Sequence, residues 1–82
     1  MSIIINEIPS TVKDISQEIM KLVDGMKTGE ASAEDAVSAV TKWKKFVPSL
    51  LCGEDGGLNP GVAKIIGKRR SAVIQSIFNT LG

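Results

Sequence analysis

The stretches VKDISQEIMKLVDGM at residues 12–26 and SAEDAVSAVTKWKKFV at residues 32–47 decide the fold. In the first stretch, apolar residues alternate at spacings of three and four: Val12, Ile15, Ile19, Leu22 and Met26. The second stretch repeats that spacing: Ala33, Ala36, Val40, Trp43 and Val47. Such a repeat places its members along one stripe of an α-helix. The sequence therefore predicts two helices, each with a narrow apolar seam.

Residues that favour helix ends flank both stretches. Ser10 is the predicted N-cap of the first helix, because its hydroxyl can accept a hydrogen bond from a free backbone N–H. Gly29 favours the end of that helix. Ser32 and Asp35 form an acidic capping box at the start of the second helix, and Pro48 ends it near residue 46. Residues 10–47 are thus predicted to form an antiparallel helical hairpin.

The C-terminal half begins with a loop at residues 53–60, which contains three glycines and a proline. Residues 61–82 form a predicted helical segment with one broad apolar face: Val62, Ile65, Ile66, Val73, Ile74, Ile77, Phe78 and Leu81. Gly67 and Arg70 interrupt that pattern. Either one long helix carries a snorkelling or partnered arginine, or the segment bends near Gly67. Either alternative gives an all-α fold.

The N-terminal residues 1–9 form an apolar arm before the first helix. Ile3, Ile4 and Ile5 are its apolar residues, and no second strand-like run is present to pair with them. The 82 residues provide for one small domain, with 43% apolar and 23% charged content. We expect the arm to be either ordered against its own chain or bound to a partner such as a neighbouring subunit, and the latter would help stabilise so small a core.

Charge is divided unevenly along the chain, although the net charge is only +1. Residues 1–40 contain three lysines and seven acids, whereas residues 41–82 contain seven basic residues and two acids. This division suits a basic surface that binds nucleic acid or anionic lipid. It equally suits subunits that stack through opposite charges, or two helices whose charges are simply solvated.

Residues able to perform catalysis are scarce. The chain has no histidine, and its one cysteine, Cys52, therefore lacks an imidazole base. Cys52 is better explained as a small core residue. Glu54 and Asp55 are adjacent in a loop and are not held facing each other by a scaffold. We expect no enzymatic activity, no cofactor, no metal ion and no small-molecule substrate.

A stretch in the C-terminal segment resembles the DNA-binding helix-turn-helix motif over some twenty residues. Ala63, Gly67 and Val73 match the small, turn and apolar positions of that motif. The resemblance implies a recognition helix within residues 62–78. Lys68 stands where the motif usually has an apolar residue, and Ser76 where it commonly has an aliphatic one. The candidate contacts to DNA or to a protein partner are Lys64, Lys68, Arg69, Arg70, Ser71 and Gln75.

The sequence favours a non-enzymatic protein-interaction or self-assembly module, in which the basic cluster meets acids of the first helix: Asp14, Glu18 or Asp24. A small DNA-binding regulator is the alternative. The third hypothesis is a membrane-active cationic amphipathic helix at residues 61–82. Trp43 lies between lysines and could stack on a base, but its seam position favours the core. With no secretory signal pattern, the expected location is the cytoplasm.

Overall fold

The computed structural model describes residues 6, 8–54 and 56–81 of the chain. Within them the chain forms five helices: α1 (Val12–Thr28), α2 (Ala33–Phe46), α3 (Pro48–Leu51), α4 (Pro60–Ile66) and α5 (Lys68–Leu81). The described residues contain no strand, and one isolated antiparallel bridge joins Cys52 to Leu58 across the loop. The predicted all-α class is confirmed. None of the helices in this described part is long and apolar enough to cross a membrane.

Side chains at the helix ends explain where α1 and α2 begin. Thr11 caps α1: its backbone is extended, and its hydroxyl accepts from the Asp14 backbone N–H at 3.1 Å. The prediction of Ser10 as the cap was wrong by one residue, because the helix begins at Val12 and the residue directly before it is Thr11. At α2, the capping box between Ser32 and Asp35 is confirmed, with bonds of 3.1 and 3.0 Å.

The C-terminal segment is two helices, and Gly67 alone separates them. Its φ of +90° and ψ of 168° are far from helical values, so the helical hydrogen-bond ladder cannot pass through it. Of the two alternatives for Gly67, the bend is therefore the one that the structure adopts. Arg70 is also partnered, as described below.

The core is assembled from all five helices. α1 packs most extensively on α4, and α2 packs on α5, while α1 and α2 contact each other less than this. The completely buried residues include Ile15, Ile19, Leu22, Val40, Trp43, Leu51, Val62 and Ile74. The two predicted seams thus face a shared core that includes the C-terminal helices.

Two residues predicted on apolar faces are exposed. Ala33 is the first residue of α2 and lies at the turn, outside the core. Ile65 is 46% exposed, because Val62 and Ile66 occupy the buried stripe of the short helix α4. The apolar face predicted for residues 61–82 assumed one continuous register, which the break at Gly67 interrupts.

The end of the N-terminal arm is bonded to the hairpin. The Asn6 backbone N–H donates to Glu18 Oε1 on α1 at 2.7 Å, and its carbonyl accepts from Trp43 Nε1 on α2 at 2.8 Å. Pro9 is buried beside them. The arm residues Ile3, Ile4 and Ile5 lie outside the described residues, so their predicted role in assembly stays a prediction.

Candidate interaction surface

The corner between α4 and α5 is fixed by local hydrogen bonds. Asn59 caps α4, because its side-chain oxygen accepts from the Gly61 N–H at 2.9 Å, and Pro60 supplies a first helical residue that needs no hydrogen bond. Beyond the break, the Ser71 hydroxyl donates to the Gly67 carbonyl at 2.7 Å. The side chains around this corner are therefore carried on a defined scaffold.

Arg70 joins α5 to α1. Its Nε and Nη2 donate to Asp24 Oδ1 at 3.2 and 3.1 Å, Nη2 also donates to Oδ2 at 3.1 Å, and Nη1 donates to the Ile66 carbonyl at 3.3 Å. The hydrogen bonds from Arg70 to the Asp24 carboxylate, assisted by the positive charges of Arg70 and Lys27, hold the pKa of Asp24 below its ordinary value. The guanidinium is thus engaged within the chain and is not a free contact for a partner.

Two other predicted contact residues also bond within the chain. Ser71 is half-buried and donates to Gly67, as described above. Gln75 is exposed, but its Oε1 accepts from the Leu58 N–H at 3.3 Å and so links α5 to the loop. Both residues support the corner, which leaves the lysines and Arg69 as its outward-facing groups.

Lys64, Lys68 and Arg69, here called the basic corner, are all exposed. They form no ion pair within the described residues, and neither α4 nor α5 contains an acid. Lys68 and Arg69 occupy the first turn of α5, where the helix dipole disfavours positive charge. Their placement therefore costs some stability, which an anionic or acidic partner would offset.

Two apolar hollows lie on either side of the first turns of α5. The outer groove, of about 420 Å³, is lined by Leu58, Ala63, Lys68, Ser71, Ala72 and Gln75. The end cleft, of about 210 Å³, is lined by Val23, Met26, Lys27 and Val73. Apolar surface is therefore available to a partner near the basic corner.

The acids of α1 that were predicted to meet the basic cluster are largely engaged within the chain. Asp24 is held by Arg70, and Glu18 binds both the Asn6 N–H and Lys21, whose Nζ lies 3.1 Å from Glu18 Oε1. Glu30 and Glu34, at the turn from α1 to α2, are instead exposed and form no ion pair in the part of the chain that the structure describes. Sequence reasoning counted these two acids but did not single them out as contacts, although a position in or directly after a turn is a sign of exposure.

Two further sequence candidates have structural roles. Trp43 is completely buried and its indole N–H is bonded to Asn6, so it offers no face for stacking on a base. Cys52 is half-buried, packs against the core and has a free thiol. Across residues 6, 8–54 and 56–81, no cluster of three metal-ligating side chains is present.

Comparison of the chain with protein-family models, with curated proteins and with solved structures finds no match. The functional reading of the surface therefore rests on the geometry described above.

Proposed function

We propose that the protein is a non-enzymatic protein-interaction module, and that it contacts its partner through the α4–α5 corner. The observation that supports this most directly is the group of three exposed cations, without an ion pair among the described residues, on α4 and the first turn of α5, where Lys68 also lines the apolar outer groove. Protein interfaces combine an apolar centre with a polar rim, and this surface has both parts. A cytoplasmic setting, where the free thiol of Cys52 stays reduced, is part of the proposal.

The scaffold beneath the cations supports this function. Hydrogen bonds to Asp24 and Ile66 hold the first turn of α5 against α1 and α4 through Arg70. A surface that is already ordered loses less conformational entropy when a partner binds. Lys68 and Arg69 are thus presented to a partner at little ordering cost beyond that of their own side chains.

Photo-crosslinking in cells that express the protein tests the proposal. A photoreactive residue replaces Ser76, which is exposed on α5 one turn beyond Ala72 of the outer groove, or Gln17, which is exposed on α1 and serves as the control. We expect protein adducts from position 76 that fall at least about fivefold when Lys68 and Arg69 are both changed to glutamate, since rim charges steer association. Equal adducts from both positions, or adducts to nucleic acid alone, would contradict the proposal.

DNA binding is a second candidate, and the outward face of α5 supports it. Lys68, Arg69, Ser76 and Asn79 are all exposed on this helix, and such side chains bind phosphates and base edges. The geometry differs from the helix-turn-helix motif, because a single residue separates α4 from α5, whereas that motif has a turn of three or four residues.

Salt dependence tests this second candidate. If Arg69 neutralises a phosphate, Arg69→Ala should reduce the slope of log affinity for duplex DNA against log salt concentration by about one. Gln17→Ala is the matched exposed control. Binding that is absent at low salt, or a slope that Arg69→Ala leaves unchanged, would remove the candidate.

The structure gives the membrane hypothesis no support. It needs residues 61–82 to form one helix with a free apolar face, but the helix breaks at Gly67. Ile74, Ile77 and Phe78 are also buried in the core of the protein. We therefore do not propose membrane activity.

A further inference from the structure

We infer that the end cleft is where two copies of this chain meet in a two-fold dimer, with the basic corner of each copy against Glu30 and Glu34 of the other. This inference rests on the proposed function and names its partner. It is supported by the apolar character of the cleft, by unpaired charges of both signs at the same end of the molecule, and by the symmetry that such a surface satisfies.

The end cleft supplies the apolar centre. Val73 on α5 and Met26 on α1 are only half-buried, and they face each other across an open hollow beside Val23. Both side chains pack against the core on one side and leave apolar surface on the other. Insertion of the same side chains from a second copy would remove that surface from water.

The charged groups lie at the same end as this cleft. The Arg70–Asp24 pair places the first turn of α5 beside the last turns of α1, so Lys68 and Arg69 lie near the C-terminal end of α1. The backbone bond of 3.0 Å from the Ala31 N–H to the Gly25 carbonyl folds the α1–α2 turn onto that same end, and this turn carries Glu30. Glu34 follows in the first turn of α2.

A surface with both signs of charge around an apolar centre can complement itself. In a two-fold contact each patch meets the same patch of the partner, so a cation at one edge pairs with an acid at the other edge, and does so twice. Lys27 also lines the cleft. The α1–α2 turn and the first turn of α2, however, contain three acids: Glu30, Glu34 and Asp35. The turn therefore remains net acidic, and the basic corner contains no acid.

The expected contact is weak, because one end of an 82-residue chain offers less area than a standard stable interface. Sedimentation equilibrium between about 10 µM and 1 mM protein should show a monomer–dimer equilibrium with no larger species, and tighter association at 50 mM than at 500 mM salt. As concentration rises, the amide resonances of Met26, Lys27 and Val73 should shift, whereas that of Lys13 on the exposed side of α1 should not.

Charge exchange is the decisive arm of the experiment. Arg69→Glu and Glu34→Lys should each weaken dimerisation by about tenfold or more, and the double variant should recover to within about threefold of the wild type. Lys13→Glu makes the same charge change at an exposed position elsewhere and should alter dimerisation by no more than about twofold. All three side chains to be changed are solvent-facing, so circular dichroism should show folded variants.

Three results would overturn the inference: a protein that is monomeric at 1 mM in low salt, a dimer that Arg69→Glu does not weaken, or association that continues beyond two copies. The proposed function can fail separately. If crosslinks from position 76 join other proteins while the chain stays monomeric, only the dimer is wrong. If neither crosslinks nor dimers form, both proposals are wrong.

Discussion

Arg70 shows how one residue can be mistaken for part of a binding surface. It belongs to a run of three basic residues and is the one that falls on the predicted apolar face, which allowed a snorkelling side chain or a partner within the chain, but the sequence does not identify that partner. The structure separates them, since Arg70 binds Asp24 while Lys68 and Arg69 are exposed. The deciding partner lies 46 residues away, so only the packing of α5 against α1 reveals it.

The same pair predicts a pH dependence of stability. Asp24 has a pKa below its ordinary value of 3.8, so the folded state binds its proton less readily than the unfolded chain. Its contribution to the free energy of unfolding is therefore full at pH values well above 3.8 and is lost as pH falls below that value through the folded-state pKa. Asp24→Asn should destabilise the protein at pH 7, and the difference from wild type should shrink toward pH 3.

Urea unfolding at several pH values measures this difference. In an Arg70→Met background, Asp24→Asn should have little effect at any pH, because the partner of the carboxylate is already absent. A gap between wild type and Asp24→Asn that is constant from pH 7 to pH 3 would show that the pair does not set the pKa of Asp24.

At the scale of elements, Gly67 decides how the C-terminal half is divided. The apolar residues before and after it continue one helical pattern, so the sequence alone left a long helix and a bent segment as alternatives. Backbone dihedrals are not visible in a residue pattern, and the ends of the other helices were readable only because their capping side chains are local. The cap of α1 was still misassigned by one residue, because Ser10 and Thr11 are adjacent and both have a side-chain hydroxyl that can cap a helix.

Gly67→Ala provides a test with a definite sign. Nothing lies within 4 Å of a Cβ at this position, so space is available, but a φ of +90° with ψ of 168° is a conformation that residues other than glycine rarely adopt. We expect the substitution to lower the free energy of unfolding by about 1–3 kcal/mol. In a continuous helix the same change would instead stabilise the protein by about 1 kcal/mol.

Chemical denaturation of Gly67→Ala and of Gly29→Ala gives the comparison. Gly29 has a φ of +86° and a ψ of 2°, in the left-handed helical region, so its replacement should cost about 1–2 kcal/mol through strain of the same origin. Stabilisation by Gly67→Ala would mean that α4 and α5 are continuous in solution, and the α4–α5 corner would then not exist.

At the scale of the whole molecule, the pairing of helices could not be read from the sequence. Most residues of the two seams are buried or half-buried as predicted, including Ile19 and Val40, although Ala33 is exposed. A seam does not specify what covers it. Residues 10–47 were predicted as an antiparallel hairpin, but the seams do not indicate that α1 packs more extensively on α4, and α2 on α5, than the two hairpin helices pack on each other. The basic corner depends on this arrangement, since it brings α5 beside the end of α1.

Because α1 packs against both halves of the chain, a cavity in its seam should affect the whole domain. Ile19 is completely buried, and Ile19→Ala should lower the free energy of unfolding by about 2–5 kcal/mol through lost burial and an incompletely closed cavity. Small domains have little stability to lose, so this change should unfold much of the protein near physiological temperature.

Ile65→Ala removes the same atoms from a side chain that is 46% exposed, and it should cost less than about 1 kcal/mol. Thermal unfolding followed by circular dichroism compares the two variants directly. Equal melting temperatures for Ile19→Ala and Ile65→Ala would mean that α1 is not packed on α4 as described. The end cleft, which depends on the position of α1 beside α5, would then not form as described.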